Sequence, residues 1–217
     1  EQLKYIHDEL GIKRVRFHGI LNDDMIKMGS LCEEVISKAA KCLCDNNPVF
    51  IKEVIETDKQ IDDMEHEIES ICMKLILRQQ PVATDLRMIS SALKMISDME
   101  RIGDQAADIA EILKFIGVGE AKSKLHICDM ARATIKMVTE SVESYVKRDY
   151  DMAKAVIAYD DKVDSLFIKV KEELTELIKT EQASGEFCLD LLMIAKYFER
   201  IGDHAVNIAG WVLYSLT

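Results

Sequence analysis

The chain has 217 residues, of which 48% are hydrophobic and 31% are charged, with only two prolines and nine glycines. This composition is typical of a largely helical globular protein with a substantial core. The formal net charge of −11 argues against nucleic acid as the main partner, because phosphate backbones bind basic surfaces. We expect cations or basic protein surfaces as partners instead.

The spacing of apolar residues predicts three long helices in the first half of the chain. The first dozen residues are ambiguous, and we expect a short helix there that ends near Gly11. Helix one then runs from about Val15 to Cys44. Helix two stops before Pro81, and helix three follows with Thr84 as its predicted N-cap.

The second half of the chain repeats this plan. Helix four is predicted from about Ser123 to Val146, helix five from about Asp151 to Thr180, and helix six after the turn at Ser184–Gly185. The sequence therefore predicts an all-α fold of two tandem three-helix bundles related by a pseudo-twofold axis. We expect the bundles to comprise residues 1–118 and 119–217.

The apolar runs and the cysteines of the sequence indicate the cellular compartment in which the protein is expected. We identify no signal peptide and no apolar run long enough to span a bilayer, which predicts a cytoplasmic location. The six cysteines lie in apolar helical patterns without a Cys-x-x-Cys motif, so we expect free thiols that act as small core residues in a reducing compartment. They are Cys32, Cys42, Cys44, Cys72, Cys128 and Cys188.

Two near-identical segments, Met99–Ala110 and Phe198–Ala209, suggest that the chain is built twice. Their separation of about 100 residues is too long for a solenoid repeat and fits a duplicated small bundle. Each segment places a Glu within the apolar face of its helix and an Asp one turn later. A buried carboxylate loses hydration at a cost of roughly several kcal/mol unless cations or hydrogen bonds replace the water. We therefore expect a cation to meet these acids.

Acid pairs four residues apart also interrupt the apolar faces of helices two and five. If neighbouring helices bring the pairs together, each half presents four or five carboxylates to one patch. Oxygen-rich sites nearly free of histidine suit hard cations such as Mg²⁺, Ca²⁺, Mn²⁺ or iron, and several carboxylates suit more than one ion. The alternative is that the acids pair with arginines or lysines at the rim. The candidate metal ligands are Asp58, Asp62, Glu100, Asp104 and Asp108 in the first half, and Asp160, Asp164, Glu199 and Asp203 in the second.

Gly103 and Gly202 stand beside the acids in both repeats. Glycine within a helix costs about 1 kcal/mol relative to alanine, so we expect it to allow close helix approach or to make room for a metal cluster. His204 has Gln105 as its counterpart in the first repeat. We therefore expect His204 to lie at the surface or to support the site without coordinating a metal.

The segment Arg78–Arg87, together with Glu100–Asp104 and Glu199–Asp203, closely resembles the PhoU family of phosphate-uptake regulators. The resemblance extends from about Phe17 to Leu216. It implies two tandem three-helix bundles with multinuclear iron or zinc clusters bound by Glu(Asp)-x-x-x-Asp motifs. Mg, Mn and Ca are alternatives. Asp108 is the weaker ligand candidate, because its counterpart Asn207 has no charge and the two sites are then expected to differ.

The resemblance also implies a role. Proteins similar to PhoU are adaptors that repress the phosphate-starvation response and restrain phosphate uptake. Their implied partners are the ATPase of the phosphate ABC transporter and a phosphate-sensing histidine kinase. We accordingly expect a homodimer without catalytic activity that reaches the membrane only through its partners.

Two alternatives remain at this stage. A di-iron carboxylate enzyme in a helical bundle typically uses Glu-x-x-His motifs, whereas Glu100 and Glu199 are each followed three residues later by glycine. A metal-free helical scaffold is the second alternative. It predicts that neutralising Glu100 and Asp104 would leave stability unchanged or raise it, since buried charge would be removed.

Overall fold

The computed structural model describes residues 2–45, 47–79, 82–116 and 126–217, with side chains from residue 19 onward except those of residues 78 and 79. These residues form α-helices and contain no strand, which confirms the predicted all-α class. The helices are α1 (Gln2–Cys44), α2 (Phe50–Gln79), α3 (Ala83–Ile116), α4 (Ile127–Lys147), α5 (Tyr150–Lys179) and α6 (Gly185–Leu216).

The six helices pack in two groups of three. Helices α1, α2 and α3 contact one another, and so do α4, α5 and α6. Each helix turns its apolar face inward: Ile61 and Ile68 of α2 are fully buried, as are Val163 and Val170 of α5. The two halves meet where α1 packs on α4 and where α3 packs on α6. The prediction of two three-helix bundles is confirmed.

Side chains cap the beginning of two helices of the second half, α5 and α6. The Asp149 carboxylate accepts a 2.9 Å hydrogen bond from the backbone N–H of Met152 and so caps α5. The Ser184 hydroxyl accepts a 3.2 Å bond from the N–H of Phe187 and caps α6. Both residues satisfy an N–H group that a helix start leaves without an intrahelical partner. The turn at Ser184 was predicted from the sequence.

Some predicted boundaries differ from the structure. Helix α1 passes through Gly11 without a break, because a single glycine weakens a helix without ending it. Helix α3 begins at Ala83, so Thr84 lies within its first turn and is not the N-cap. The predicted start of helix four at Ser123 and the boundary between residues 118 and 119 fall outside the described residues. None of the described helices is long and apolar enough to cross a membrane.

The prediction of six free thiols is wrong for two of them. Cys44, the last residue of α1, forms a disulfide with Cys128, the second residue of α4. Their Cα atoms are 6.0 Å apart because α1 packs on α4, a tertiary contact that local spacing does not reveal. The other four cysteines are free and buried, as predicted; they are Cys32, Cys42, Cys72 and Cys188.

Candidate metal centres

The acids of α2 and α3 lie together where these helices pack. Burial first, and then the charges of neighbouring carboxylates, raise the pKa of Asp58 from 3.8 to about 6. Mutual repulsion of this kind requires the carboxylates to be close in a partly dehydrated region. The neighbours that act on Asp58 are Asp62, Asp104, Glu100 and Asp108. We call the set Asp58, Asp62, Glu100 and Asp104 the first acidic cluster.

The carboxylates of the first acidic cluster raise one another's pKa values, and Arg101 beside Glu100 and His66 beside Asp62 offset part of this rise. Burial and then the charge of Asp104 raise the pKa of Asp62 and of Glu100. The Oδ1 atom of Asp58 is buried and accepts no hydrogen bond. A buried carboxylate oxygen without a partner is costly, and a cation at this place would offset that cost.

Gly103 provides the space that the Asp58 carboxylate occupies. A Cβ atom at position 103 would lie 2.6 Å from Asp58 Oδ1 and 3.2 Å from Ile61 Cδ1. The first distance is far below van der Waals contact. The expectation that this glycine makes room beside the acids therefore agrees with the packing of α2 on α3.

The acids of α5 and α6 form the equivalent second acidic cluster, which consists of Asp160, Asp164, Glu199 and Asp203. Burial and then the charges of the other three members, with a smaller contribution from Asp161, raise the pKa of Asp160 to about 6. Gly202 again lies beside the acid of the neighbouring helix, but here a Cβ atom would be 3.5 Å from Asp160 Oδ1, which is ordinary contact. The two clusters thus have the same residue types at equivalent positions, but the glycine packs more tightly against the neighbouring acid in the first cluster than in the second.

A lysine distinguishes the second cluster from the first. Lys196 Nζ lies 2.5 Å from Glu199 Oε2, and it also lowers the pKa of Asp203, which burial and the charge of Glu199 raise. The equivalent position in the first half is Ser97, whose hydroxyl donates a 3.0 Å hydrogen bond to Glu65. The first cluster therefore lacks a lysine at this place.

Asp108 is near the first cluster, since its charge acts on Asp58 and that of Asp104 acts on it, but it has a partner outside the cluster. It is at the packing interface of α3 and α6, which we call the α3–α6 seam, and its carboxylate accepts a hydrogen bond from the Tyr197 hydroxyl. Burial raises the pKa of Asp108, and the Tyr197 hydrogen bond opposes that rise. The carboxylate thus has a partner from the other half of the chain.

A second polar contact across the α3–α6 seam was not found by sequence reasoning. Asp98 Oδ1 lies 2.9 Å from His204 Nδ1 and accepts a 3.1 Å hydrogen bond from Asn207 Nδ2. The expectation that His204 has a supporting role agrees with this contact. The clue in the sequence was the divergence of the two repeats at these positions, since the equivalents of Asp98, His204 and Asn207 are Tyr197, Gln105 and Asp108.

Comparison with known proteins identifies the family. The sequence model of the PhoU domain matches this chain twice, at residues 25–113 and 127–212. The chain belongs to the PhoU family. Its two PhoU domains coincide with the two halves described above, each containing one acidic cluster. The resemblance predicted from the sequence motifs is confirmed.

PhoU relatives match over most of their length. A phosphate-specific transport system accessory protein PhoU homolog of Clostridium acetobutylicum is 34% identical over 200 residues, which cover 91% of this chain and 91% of that protein. The Aquifex aeolicus homolog of the same name is 37% identical over 181 residues, 82% of this chain and 81% of that protein. The crystal structure of PhoU from Pseudomonas aeruginosa superposes with a TM-score of 0.85 at 32% identity, covering 93% of this chain and 97% of that one.

The donor groups of this PhoU-family chain fit the metals that the family implies. Clustered carboxylates, a buried oxygen of Asp58 without a hydrogen-bond partner and the space beside Gly103 all suit bound cations. Within the described ranges, no three His, Cys, Asp or Glu side chains already stand in an arrangement that could hold one ion. Binding would therefore require side-chain rotation, which exposed acids such as Asp104 and Asp203 can undergo.

Proposed function

We propose that this chain is a regulatory accessory protein of a phosphate-specific transport system and that it has no catalytic activity of its own. The observation that carries the proposal is the PhoU-domain match in both halves, supported by relatives of the same length that bear that name. We further propose that it acts negatively, restraining phosphate uptake and the phosphate-starvation response. It would do so in the cytoplasm, by contact with other proteins.

The partners we propose are the ATPase of the phosphate ABC transporter and a phosphate-sensing histidine kinase. The charge of −11 supports docking on basic protein surfaces, because opposite charge accelerates encounter and excludes acidic partners. We also propose that the chain forms a homodimer and that a subunit of this dimer presents several surfaces on which partners dock. Membrane association would then occur only through the transporter or the kinase.

We propose that each acidic cluster binds iron or zinc, with Mg, Mn or Ca as alternatives. In the first half Asp58, Asp62, Glu100 and Asp104 would hold the metal. The equivalent acids of the second half would hold the other, and they are Asp160, Asp164, Glu199 and Asp203. A bound cation supplies positive charge that replaces the lost hydration of the carboxylates and ties α2 to α3 and α5 to α6. Asp108 is the weaker candidate ligand because it is engaged with Tyr197.

Elemental analysis tests the metal proposal. The parent chain, purified without chelator, is compared with a Glu100→Gln/Glu199→Gln variant. A Glu69→Gln/Glu172→Gln variant is the matched control, because it makes the same chemical change at exposed positions of α2 and α5. We expect metal in the parent and control and little in the cluster variant. Absence of metal from all three, even after reconstitution, would instead favour the metal-free scaffold.

The regulatory proposal is tested in cells that lack the gene and receive either the parent, the cluster variant or the control. Phosphate uptake and transcription from a phosphate-starvation promoter are measured in phosphate-rich medium. We expect both to be low with the parent and control and high without the gene. If deletion changes neither quantity, regulation of phosphate transport is wrong for this chain, whatever its metal content.

The sequence and the geometry do not favour the alternative of a di-iron carboxylate enzyme. Neither cluster contains a Glu-x-x-His motif, and His204 contacts Asp98 at the α3–α6 seam. Oxygen consumption by the iron-loaded protein with a reductant would revive it.

A further inference from the structure

The disulfide between Cys44 and Cys128 joins the two halves of the chain covalently. It connects the end of α1 to the beginning of α4 across a sequence separation of 84 residues. Cys44 is exposed and Cys128 is half-buried, so reagents dissolved in water can reach this bond. Elsewhere α1 and α4 are held together by packing and by polar contacts such as that of Thr139 with Glu33. The disulfide therefore adds a removable link to a non-covalent interface.

The remaining cysteines are poorly suited to thiol chemistry. Burial raises the pKa of Cys42 to about 11 and that of Cys72 to about 12. Burial also raises the pKa of Cys32 and Cys188. Because the thiolate is the reactive form, these thiols are both inaccessible and unreactive near neutral pH. Redox chemistry is thus restricted to the Cys44–Cys128 pair.

The helix ends give the two paired sulfurs different reactivity. Cys128 lies in the first turn of α4, where the positive end of the helix dipole stabilises a thiolate. Cys44 lies in the last turn of α1, where the negative end disfavours one. Asp129 next to Cys128 and Lys41 one turn before Cys44 oppose this difference, and we expect the dipoles to prevail, so that Cys128 is the better nucleophile in the reduced protein and the better leaving group in the oxidised protein.

We propose that Cys44 and Cys128 form a reversible thiol–disulfide switch that links the two halves in response to the glutathione class of low-molecular-weight thiols and disulfides. In oxidation, the Cys128 thiolate attacks a sulfur of the small disulfide and releases one small thiolate. The Cys44 thiolate then attacks the Cys128 sulfur of the mixed disulfide and releases the second. Two protein thiols are oxidised, one small disulfide is reduced to two small thiols, and the protons lost by the cysteines are taken up by the released thiolates.

Besides the direct reversal of these steps, reduction has a second route, which begins at the exposed sulfur and passes through a mixed disulfide on Cys44. A small thiolate attacks Cys44, and the electron pair of the broken bond leaves with Cys128. A second small thiolate then attacks the mixed disulfide at its small-molecule sulfur and frees Cys44. The switch thus adds or removes a cross-link between two bundles that the chain itself joins and that the α1–α4 and α3–α6 contacts hold together.

The proposal is tested on the full chain in buffers of varied glutathione to glutathione-disulfide ratio. Free thiols are trapped with iodoacetamide in denaturant, and peptides are identified by mass spectrometry. We expect the Cys44–Cys128 bond to form and break with one midpoint in both directions, while the four buried cysteines stay reduced. A bond that never forms, never breaks in the folded protein, or forms together with glutathione adducts on the buried cysteines would overturn the proposal.

Two single variants test the assignment of the sulfurs. In native buffer at neutral pH, Cys128 in the Cys44→Ser variant is expected to react with iodoacetamide at least tenfold faster than Cys44 in the Cys128→Ser variant. The opposite order would overturn the assigned roles. Circular dichroism on both variants establishes that the helices are intact, and unfolding in denaturant should make the two rates equal.

Discussion

Gly103 and Gly202 occupy equivalent helical positions with unequal space around them, which allows a direct comparison. A Cβ atom at Gly202 makes only ordinary contacts, so Gly202→Ala should stabilise the metal-free protein by about 0.5–1 kcal/mol through helix propensity. At Gly103 the same atom collides with Asp58 Oδ1, so the Asp58 carboxylate must move aside and the gain in helix propensity is reduced or lost. We therefore expect Gly103→Ala to be the less stable variant in urea unfolding.

The same pair of variants separates packing from metal binding. Because Gly103→Ala displaces the Asp58 carboxylate, we expect it to lower the metal content of the first cluster, whereas Gly202→Ala should leave the second cluster loaded. Equal stability and equal metal content of the two variants would show that Gly103 does not position Asp58.

The raised pKa values of Asp58 and Asp160, about 6 instead of 3.8, predict a pH dependence of the metal-free protein. Between pH 4 and 6 the folded state retains protons that the unfolded state releases, so these groups make stability fall as pH rises through this range. We expect Asp58→Asn/Asp160→Asn to be more stable than the parent above pH 6 and nearly equal to it below pH 4. Thermal unfolding after chelation measures the difference, and a difference independent of pH would contradict it.

At the scale of elements, the contact between α1 and α4 depends on Gly29. A Cβ atom there would lie 2.7 Å from Val142 Cγ1, so Gly29→Ala should destabilise the protein by about 1–3 kcal/mol. Gly19 lies in the same helix with nothing within 4 Å of a Cβ, and Gly19→Ala should be neutral or stabilising. Urea unfolding of both tests this.

A third variant shows whether the cost arises at the helix contact. If Gly29→Ala forces α1 away from α4, then adding Val142→Ala should recover most of the lost stability, because the colliding methyl groups are removed. Additive destabilisation in the double variant would place the effect elsewhere.

The elements themselves were largely predictable, since the period of apolar residues reports a buried helix face directly. Ile61 of α2 and Val163 of α5, which lie on such faces, are fully buried. Local rules failed where tertiary context decides the outcome. Gly11 does not end α1. Cys44 was predicted to be a free thiol in the core, but it is exposed and forms a disulfide with Cys128. No pattern within α1 shows which residue of α4 its end will meet.

At the scale of the whole molecule, the disulfide should contribute measurably to stability. Closing a loop across a separation of 84 residues restricts the unfolded chain, and the chain-entropy relation gives about 4.5 kcal/mol for this length. We expect reductant to lower the melting temperature of the parent and to leave that of a Cys44→Ser/Cys128→Ser variant unchanged. An unchanged melting temperature in the verified reduced parent would contradict this prediction.

The candidate site was predictable in its residues more than in its surroundings. The duplication exposed Asp58, Glu100 and their equivalents as acids on apolar faces, and the structure brings each set together across two helices. The partner of Asp108 could not be predicted, because Tyr197 reaches it only when α3 packs on α6. The repeated motif suggests two equivalent clusters, but Lys196 pairs with Glu199 in the second half and the first half has Ser97 at the equivalent position.

At the α3–α6 seam, equivalent positions of the two halves carry different residues that contact each other. Asp98 meets Asn207 on one side, and Tyr197 meets Asp108 on the other. If two copies of the first half associated in the same geometry, Asp98 would face Asp108 in both places, and like charges would oppose each other. Two copies of the present first half are therefore expected to associate less stably than the two halves do. The difference between the repeats at these positions thus favours pairing of the first half with the second over pairing of two identical halves.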